Sequence, residues 1–395
     1  MTTEASRRIA AVRWRPFRLP MRHRFEASHS TLSHRDGLIL ELLGDDGDSG
    51  IGEASPFPAL GDGTLADTLA LLEAHAAAIL ADPEAALAAL PASGPGVMAL
   101  RCALDTALLD LDGKRRGVPV AALLADAPAP AVKVNAVIGG GAPDEVAAYA
   151  REAVATGYRV LKLKVGVGSV TDDLARLRAV RAACPDAAIR IDANGAWDEA
   201  QAREALTALA ACEVELVEQP VRVDDLEGLA RVRRDATIRV AADELLNGLD
   251  DAVRVIERGA AQLLVLKPMR LGGARASLAI ARRAAEAGVG CFATTTFDSS
   301  VGTALALHLA TALPLAPVAH GLSTVEHLAG DVVAQPLIPA AGRLAVPAAP
   351  GLGIEVDEAA LDAVATGLWV VRLPEVHGHD DDHGGDEHHE DEPHH

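Results

Sequence analysis

Tyr158-Arg-Val-Leu-Lys-Leu-Lys-Val-Gly166 is a short apolar run closed by a glycine and followed by the amphipathic stretch Asp173–Ala183. Its length and aliphatic content are those of a buried strand leading into a helix. The same alternation recurs along the chain. The runs Val132–Val137, Tyr158–Val165, Ala188–Asp192, Val214–Glu218, Arg239–Asp243, Gln262–Lys267, Cys291–Thr295 and Ala316–His320 are separated by stretches such as Ala274–Ala287. Eight strands alternating with helices predict parallel pairing through right-handed crossovers. That count and spacing fit an α/β fold of the (β/α)-barrel, TIM type better than an open doubly wound sheet. No G-x-G-x-x-G opens a helix after the first strand, which argues against dinucleotide binding.

Upstream, residues 1–127 have a different pattern. Ile9–Leu19 and Gly37–Leu43 are expected strands, Gly44-Asp-Asp-Gly47 a hairpin turn, and Ser49-Gly-Ile-Gly-Glu-Ala-Ser-Pro-Phe-Pro58 a further arm ending in a proline-punctuated loop. Helices are expected near Leu65–Ala81 and Gly96–Asp112. Arg22, His23, Arg24, His29, His34 and Arg35 crowd an expected loop between the first two strands, a composition that suits a lid over an anionic substrate. Downstream, residues 323–372 run through Pro- and Gly-containing connections and are expected to pack back on the N-terminal unit. The stretch from 373, rich in His, Asp and Glu beyond His377, lacks the apolar content to bury a core and is expected to be disordered. The expected division is therefore 1–127, a barrel over 128–322, a returning segment over 323–372, and a tail.

Half of the 395 residues are apolar and only 3% aromatic, so the core rests on small and aliphatic side chains. A net charge of -20 argues against nucleic acid and anionic membrane surfaces as partners. Cys102, Cys184, Cys212 and Cys291 are widely spaced with no CxxC pair, the pattern of reduced thiols in a cytoplasmic protein. The N-terminus has no signal-type apolar core, and the alanine-rich helices carry too many acids to span a bilayer. The expected partner is a small carboxylate substrate, and a homo-oligomer is compatible with the sequence.

In a strand, Lys162 and Lys164 share one face. Mutual repulsion and poor solvation would lower a lysine pKa toward neutrality, the condition for a base. An isolated pair of this kind is ordinarily a strand end whose lysines reach water. The other strand ends alter that view. Asp192 with Asn194, Glu218, Asp243 with Glu244, and Lys267 each follow an apolar run, and Asp298 lies just past the seventh strand. A single acid there would be an ordinary helix cap. Three acids on consecutive strands flanked by lysines would converge on the barrel axis. Such an oxygen set suits Mg²⁺, with Mn²⁺ as a substitute, and disfavours zinc because no His or Cys joins it. A divalent ion between lysines acidifies the C–H next to a carboxylate and stabilises the enediolate formed when the proton leaves.

Lys162-Leu-Lys164, Asp192-Ala-Asn194, Val217-Glu-Gln-Pro220, Asp243-Glu244 and Lys267-Pro-Met-Arg-Leu-Gly-Gly273 together resemble the enolase superfamily, muconate-lactonizing subgroup. Gly52-Glu-Ala-Ser-Pro-Phe-Pro58 resembles that family's capping-domain loop. The resemblance implies a modified (β/α)7β barrel with an α+β cap built from the N-terminal region and the C-terminal segment. It implies Asp192, Glu218 and Asp243 as Mg²⁺ ligands, with Asn194 and Glu244 behind them. Lys164 would be the principal acid/base, Lys162 its electrostatic aid, and Lys267 the group on the opposite face. Within the subgroup, Thr294-Thr-Thr-Phe-Asp-Ser-Ser-Val-Gly302 and His320-Gly-Leu-Ser-Thr324 are most similar to o-succinylbenzoate synthases of menaquinone biosynthesis. Relatives often carry Glu where Asp298 stands. Dipeptide epimerases carry an Asp-x-Asp at the eighth strand end that is missing here, and muconate cycloisomerases a motif that Thr324-Val-Glu326 matches poorly. Asp298, Ser299 and Ser300 are candidate substrate contacts, with capping of the helix after the seventh strand the alternative for the two serines. N-succinylamino acid racemase and dipeptide epimerase are the alternatives.

Overall fold

The computed structural model describes residues 8–27 and 30–374, and in it the alternating runs become a parallel sheet flanked by helices. The stretch 377–395, expected to be disordered, lies outside the described residues, as does His29.

Strands β1 (Ile9–Ala27), β2 (Ser30–Gly44) and β3 (Ser49–Ala54) form an antiparallel meander. The expected lid loop is instead the far end of a long hairpin, because cross-strand pairing resumes at Phe25–Leu32 after a register shift beyond Pro20. Arg22 and His23 are exposed there, whereas Arg35 is buried. Helices α1 (Leu65–Ala81), α2 (Pro83–Ala89) and α3 (Val97–Arg116) cover this sheet. The approach of α3 to β3 requires glycine: a Cβ on Gly50 would lie 2.0 Å from the Ala107 carbonyl oxygen, and one on Gly52 1.9 Å from that of Ala103.

After α4 (Val120–Leu124), the expected first barrel strand divides. β4 (Ala131–Lys133) pairs antiparallel with a downstream segment, and β5 (Ala136–Ile138) enters the barrel. There follow α5 (Pro143–Ala155), β6 (Val160–Lys164), α6 (Val170–Ala183), β7 (Ala188–Asp192), α7 (Glu199–Leu209) and β8 (Val214–Glu218). Next come α8 (Leu226–Asp235), β9 (Arg239–Ala242), α9 (Leu249–Glu257), β10 (Leu263–Leu266), α10 (Pro268–Leu271), α11 (Ala274–Glu286), β11 (Gly290–Ala293) and α12 (Ser300–Ala312). The seven strands from β5 to β11 are parallel and neighbours in sequence order. The expected eighth strand is reduced to parallel bridges, Val134 with His320 and Thr294 with Gly321, which join β11 back to the β4–β5 segment. Pro314 and Pro317 lack the N–H that a longer ladder needs.

Strand periodicity fills the interior and places the polar ends. Leu216, Ala241, Leu263, Val265, Phe292 and Val318 form one buried cluster inside the ring. Fully buried Arg190 joins them, donating to the Ala319 carbonyl at 2.7 Å and to Glu215 Oε2 at 2.7 Å. Two residues beyond Arg190, Leu216, Ala241 and Val265 come Asp192, Glu218, Asp243 and Lys267, so one period stacks chemistry on core.

The chain then returns to its start through β12 (Arg343–Ala345), the partner of β4, and α13 (Glu358–Val364). β13 (Val370–Arg372) pairs antiparallel with β1, as Arg13 with Val371. The sheet order is thus β13-β1-β2-β3. Among the described residues no helix is long and apolar enough to cross a membrane, and all four cysteines are free and buried.

Candidate active site

The parallel register brings the polar strand ends into one row. Lys164 is opposite Asp192 on β7, and Asp192 is opposite Glu218 on β8. One carboxylate oxygen from each of Asp192, Glu218 and Asp243 lies within 4.8 Å of the others, and the three residues are 1%, 0% and 2% exposed. The backbone is bent to achieve this. Asn194 and Gln219 have φ of 46° and 34°, left-handed conformations that cost a non-glycine residue about 1–3 kcal/mol. The Gln219 amide holds its own turn, donating to the Val221 carbonyl at 2.9 Å and accepting from the Asp243 N–H at 3.0 Å.

Three ammonium groups surround the acids. Lys162 Nζ is 2.9 Å from Asp192 Oδ2 and also donates to Glu218 Oε2. Lys164 Nζ donates to Asp192 Oδ2 at 2.7 Å and to Asn194 Oδ1 at 2.8 Å. Lys267 Nζ donates to Asp243 Oδ2 at 2.8 Å, on the other side of the cluster. The Asn194 amide donates to Glu244 Oε1 at 2.6 Å, so Asn194 links Lys164 to the carboxylate after Asp243.

Asp192, Glu218, Asp243 and Glu244 outnumber the three lysines, and the pKa shifts follow that surplus. Burial pulls Lys162 down, but Asp192, Glu218 and Asp243 outweigh it and hold the lysine above its ordinary value. Burial likewise opposes, and Asp243 and Glu244 overcome it, in raising Lys267. The depression expected from a neighbouring ammonium is therefore not met at Lys162, because the three carboxylates outweigh it. Burial, then the Asp243 charge, pushes Glu244 up to about 7.

The acids fit a hard cation. Glu218 Oε1 is buried and has no hydrogen-bond partner among the described residues, whereas Lys267 Nζ lies 2.7 Å from Asp243 Oδ1. A buried carboxylate oxygen without a donor is costly unless a cation meets it. Oxygen donors without nitrogen or sulfur suit Mg²⁺ or a similar ion.

Above the acids a cleft of about 990 Å³ is lined by Lys162, Lys164, Asp192, Asn194, Glu244 and Lys267. The cap contributes Leu32, Phe57, Ala59 and Leu60 to its wall. Thus the three lysines, Asp192, Asn194 and Glu244 meet as expected, with Glu218 and Asp243 buried beneath. The other candidates are elsewhere. Ser299 caps α12 through its Oγ, which accepts from the Val301 N–H at 3.1 Å and donates to Glu53. Ser300 Oγ donates to Asp331 Oδ2 at 2.6 Å. Asp298 accepts from Thr296 Oγ1 at 2.6 Å, and burial, then Glu53, pushes it up to about 7. None of these three lines the cleft. Ser299 and Ser300 instead tie the barrel to Glu53 of the cap and to Asp331 of the returning segment.

Asn135, Thr324 and Arg270 line the cleft without having been singled out. Asn135 is 1% exposed, and neither amide atom has a partner among the described residues. A lone Asn between two strands carries no sequence signal for this. Arg270 was visible within Lys267-Pro-Met-Arg270, but its role depends on a loop some two hundred residues upstream. At the eighth strand end Glu326 is turned aside, accepting from the Tyr158 hydroxyl at 2.6 Å.

Comparison with known proteins agrees with this geometry. Residues 9–125 match the family model of the mandelate racemase/muconate lactonizing enzyme N-terminal domain, and residues 145–360 that of the enolase C-terminal domain-like family. A hydrophobic dipeptide epimerase of Enterococcus faecalis is 32% identical over 314 residues, covering 77% of this chain and 87% of the relative. An o-succinylbenzoate synthase of Thermobifida fusca is 38% identical over 245 residues, covering 61% of this chain and 74% of the relative. Among solved structures, an N-succinyl Arg/Lys racemase from Bacillus cereus superposes with a TM-score of 0.86 at 26% identity, covering 92% of this chain and 100% of that one.

Proposed function

This chain belongs to the muconate lactonizing group of the enolase superfamily, and on that premise we propose that it removes a proton α to a carboxylate with the help of Mg²⁺. The observation that carries the proposal is the placement of Lys164 against Asp192 and of Lys267 against Asp243, on opposite flanks of one buried acid cluster. Asp192, Glu218 and Asp243 would hold the ion. When bound, Mg²⁺ supplies Lewis-acid polarisation of the substrate carboxylate and offsets the surplus negative charge that now raises Lys162 and Lys267.

The specific reaction we propose is the syn dehydration of 2-succinyl-6-hydroxy-2,4-cyclohexadiene-1-carboxylate to 2-succinylbenzoate, a step of menaquinone biosynthesis. Lys164, as the neutral amine, takes the proton from the ring carbon bearing the carboxylate. Asn194 and Asp192 aim its Nζ. The electron pair left behind spreads onto the carboxylate as an enediolate. Its return expels the neighbouring hydroxyl, which leaves as water with the proton that Lys164 has just acquired. The lysine ends unprotonated, as it began, and the ring ends aromatic. Lys267, as the ammonium, stabilises the anion from the opposite face, and Lys162 keeps positive charge beside Lys164. The eighth strand end supports this choice: Gly321 and Thr324 line it, while Glu326 is held by Tyr158, so this end offers no carboxylate to a substrate ammonium.

A second reaction is favoured by the Lys267 position itself. A lysine on each face is what inversion of an N-succinylamino acid requires, and the Bacillus cereus structure bears such a racemase's name. The test is to incubate the purified enzyme with Mg²⁺ and the cyclohexadiene substrate, and separately with N-succinylamino acids and dipeptides in D₂O. Formation of 2-succinylbenzoate is expected. Deuteration and inversion of the amino acid derivatives without any dehydration would replace the proposal by the racemase.

A further inference from the structure

Pro268 opens a single helical turn directly after Lys267, and the Arg270 N–H closes on the Lys267 carbonyl at 2.9 Å. The Arg270 side chain, 4% exposed, leaves that turn toward the cap. Its Nε donates to Asp62 Oδ1 at 3.0 Å, and its Nη2 to the Leu60 carbonyl at 3.3 Å and to Asn247 Oδ1 at 3.0 Å. Nη1 donates to the Glu244 carbonyl at 3.4 Å. One buried guanidinium therefore joins three chain segments: the cap loop, the turn after β9 and the turn after β10.

The loop that it reaches carries the cap's wall of the cleft. Phe57, Ala59 and Leu60 line the cavity, on a short turn whose exit at Gly61 and Gly63 has φ of 83° at both positions. The upstream end of this loop is held by a second buried arginine. Arg35 donates to the Ser55 and Pro56 carbonyls at 2.6 and 2.9 Å, with its guanidinium 4.7 Å from the centre of the Phe57 ring. Arg35 belongs to the cap, so it fixes the loop within the cap alone. Arg270 belongs to the barrel, and its bonds to Leu60 and Asp62 set where the wall stands relative to the lysines. The planar fork of an arginine can satisfy these divergent acceptors together, which a lysine ammonium cannot.

We propose that Arg270 is a positioning residue that clamps the 57–62 loop of the cap to the barrel and so fixes the cleft wall formed by Phe57, Ala59 and Leu60. The inference rests on the cleft being the active site. Because the loop lines the cleft and supplies no group to the proton transfer, loosening it raises KM more than it lowers kcat.

The variants are Arg270→Met, Arg270→Lys and Asp62→Ala, each checked for folding by thermal melting and for Mg²⁺ binding by calorimetry. In Arg270→Met and Asp62→Ala, exchange of the backbone amides of residues 57–63 is expected to accelerate about tenfold or more. With the substrate that the wild type turns over, KM is expected to rise about tenfold while kcat stays within about threefold. Arg270→Lys should recover part of both effects, and the double variant Arg270→Met/Asp62→Ala should be no worse than Arg270→Met. Unchanged loop exchange in both single variants overturns the clamp. So does a fall in kcat at constant KM, which would mean that Arg270 acts through Lys267. If Arg270→Met does not fold, Asp62→Ala, which leaves the barrel intact, carries the same test. A wild type that makes no 2-succinylbenzoate counts against the dehydratase alone, since loop exchange is read without turnover.

Discussion

Two groups of buried carboxylates differ in what their oxygens face. Around the N-terminus of α12, Glu53 accepts from the Ser299 and Gly302 N–H groups at 3.1 and 2.8 Å and from the hydroxyls of Ser55 and Ser299. Asp331 accepts from the Ser300 N–H at 3.1 Å, the Val332 N–H at 2.7 Å and the Ser300 hydroxyl. These donors are fixed, and a helix N-terminus favours negative charge. At the strand ends, Asp192, Glu218 and Asp243 face lysine ammoniums instead, and Glu218 Oε1 has no hydrogen-bond partner among the described residues. Burial is common to both groups. Saturation marks the first as architecture, and its lack is what supports placing the proposed chemistry at the second.

The largest expected effect is at the unsaturated group. Lys164→Ala should lower kcat by about 10²–10⁴-fold, while Mg²⁺ binds no more weakly, since a cation beside Asp192 has been removed. A loss of Mg²⁺ affinity in calorimetry would show the lysine to be part of the metal site instead. Chelation by EDTA should abolish turnover and added Mg²⁺ restore it, and Asp243→Asn should weaken Mg²⁺ binding about tenfold or more. Glu53→Ala reverses the pattern: stability falls by about 3 kcal/mol in urea unfolding because several buried donors lose their acceptor, and Mg²⁺ affinity is unchanged. If Glu53→Ala weakened the metal instead, the division between the two groups would fail.

The smallest effect is at Asp298. Its folded-state value of about 7 lies above the ordinary 3.8, mainly through burial and then through Glu53. Between these values the unfolded chain has lost the proton and the folded one has kept it, so stability declines from about pH 4 to about pH 7 and levels off above. Asp298→Asn can keep the Thr296 bond and removes that decline. It should stabilise the protein at pH 8 relative to pH 5 by on the order of 1–2 kcal/mol when compared with the wild type. Equal stability differences at both pH values would refute the assignment.

The barrel was legible because its signal is local. Each apolar run ending at Asp192, Glu218, Asp243 or Lys267 reports its own strand, and a period of two fixes which side chains face inward. The eighth strand was overextended because its aliphatic content outweighed Pro317. The polar composition of the Arg22–Arg35 region reads as a loop and conceals a hairpin that continues past a register shift. The meeting of lysines and acids was anticipated from their strand-end positions. The capping of α12 by Ser299 was open to the sequence too, but the bonds of Ser299 to Glu53 and of Ser300 to Asp331 were not, since these acids come from the two chain segments that flank the barrel. Arg270 eluded assignment for the same reason: only tertiary structure brings Asp62 to it.

The pairing of β13 with β1 has a consequence for how the molecule is made. Arg13 finds its partner Val371 only after the whole barrel sequence has been translated. On the ribosome β1 can pair early with β2 through a local hairpin, but its other edge stays unpaired until β13 emerges. The sheet of the cap is therefore begun before the barrel is synthesised and completed after it, so the domain that walls the cleft is finished only on a chain whose barrel has already emerged.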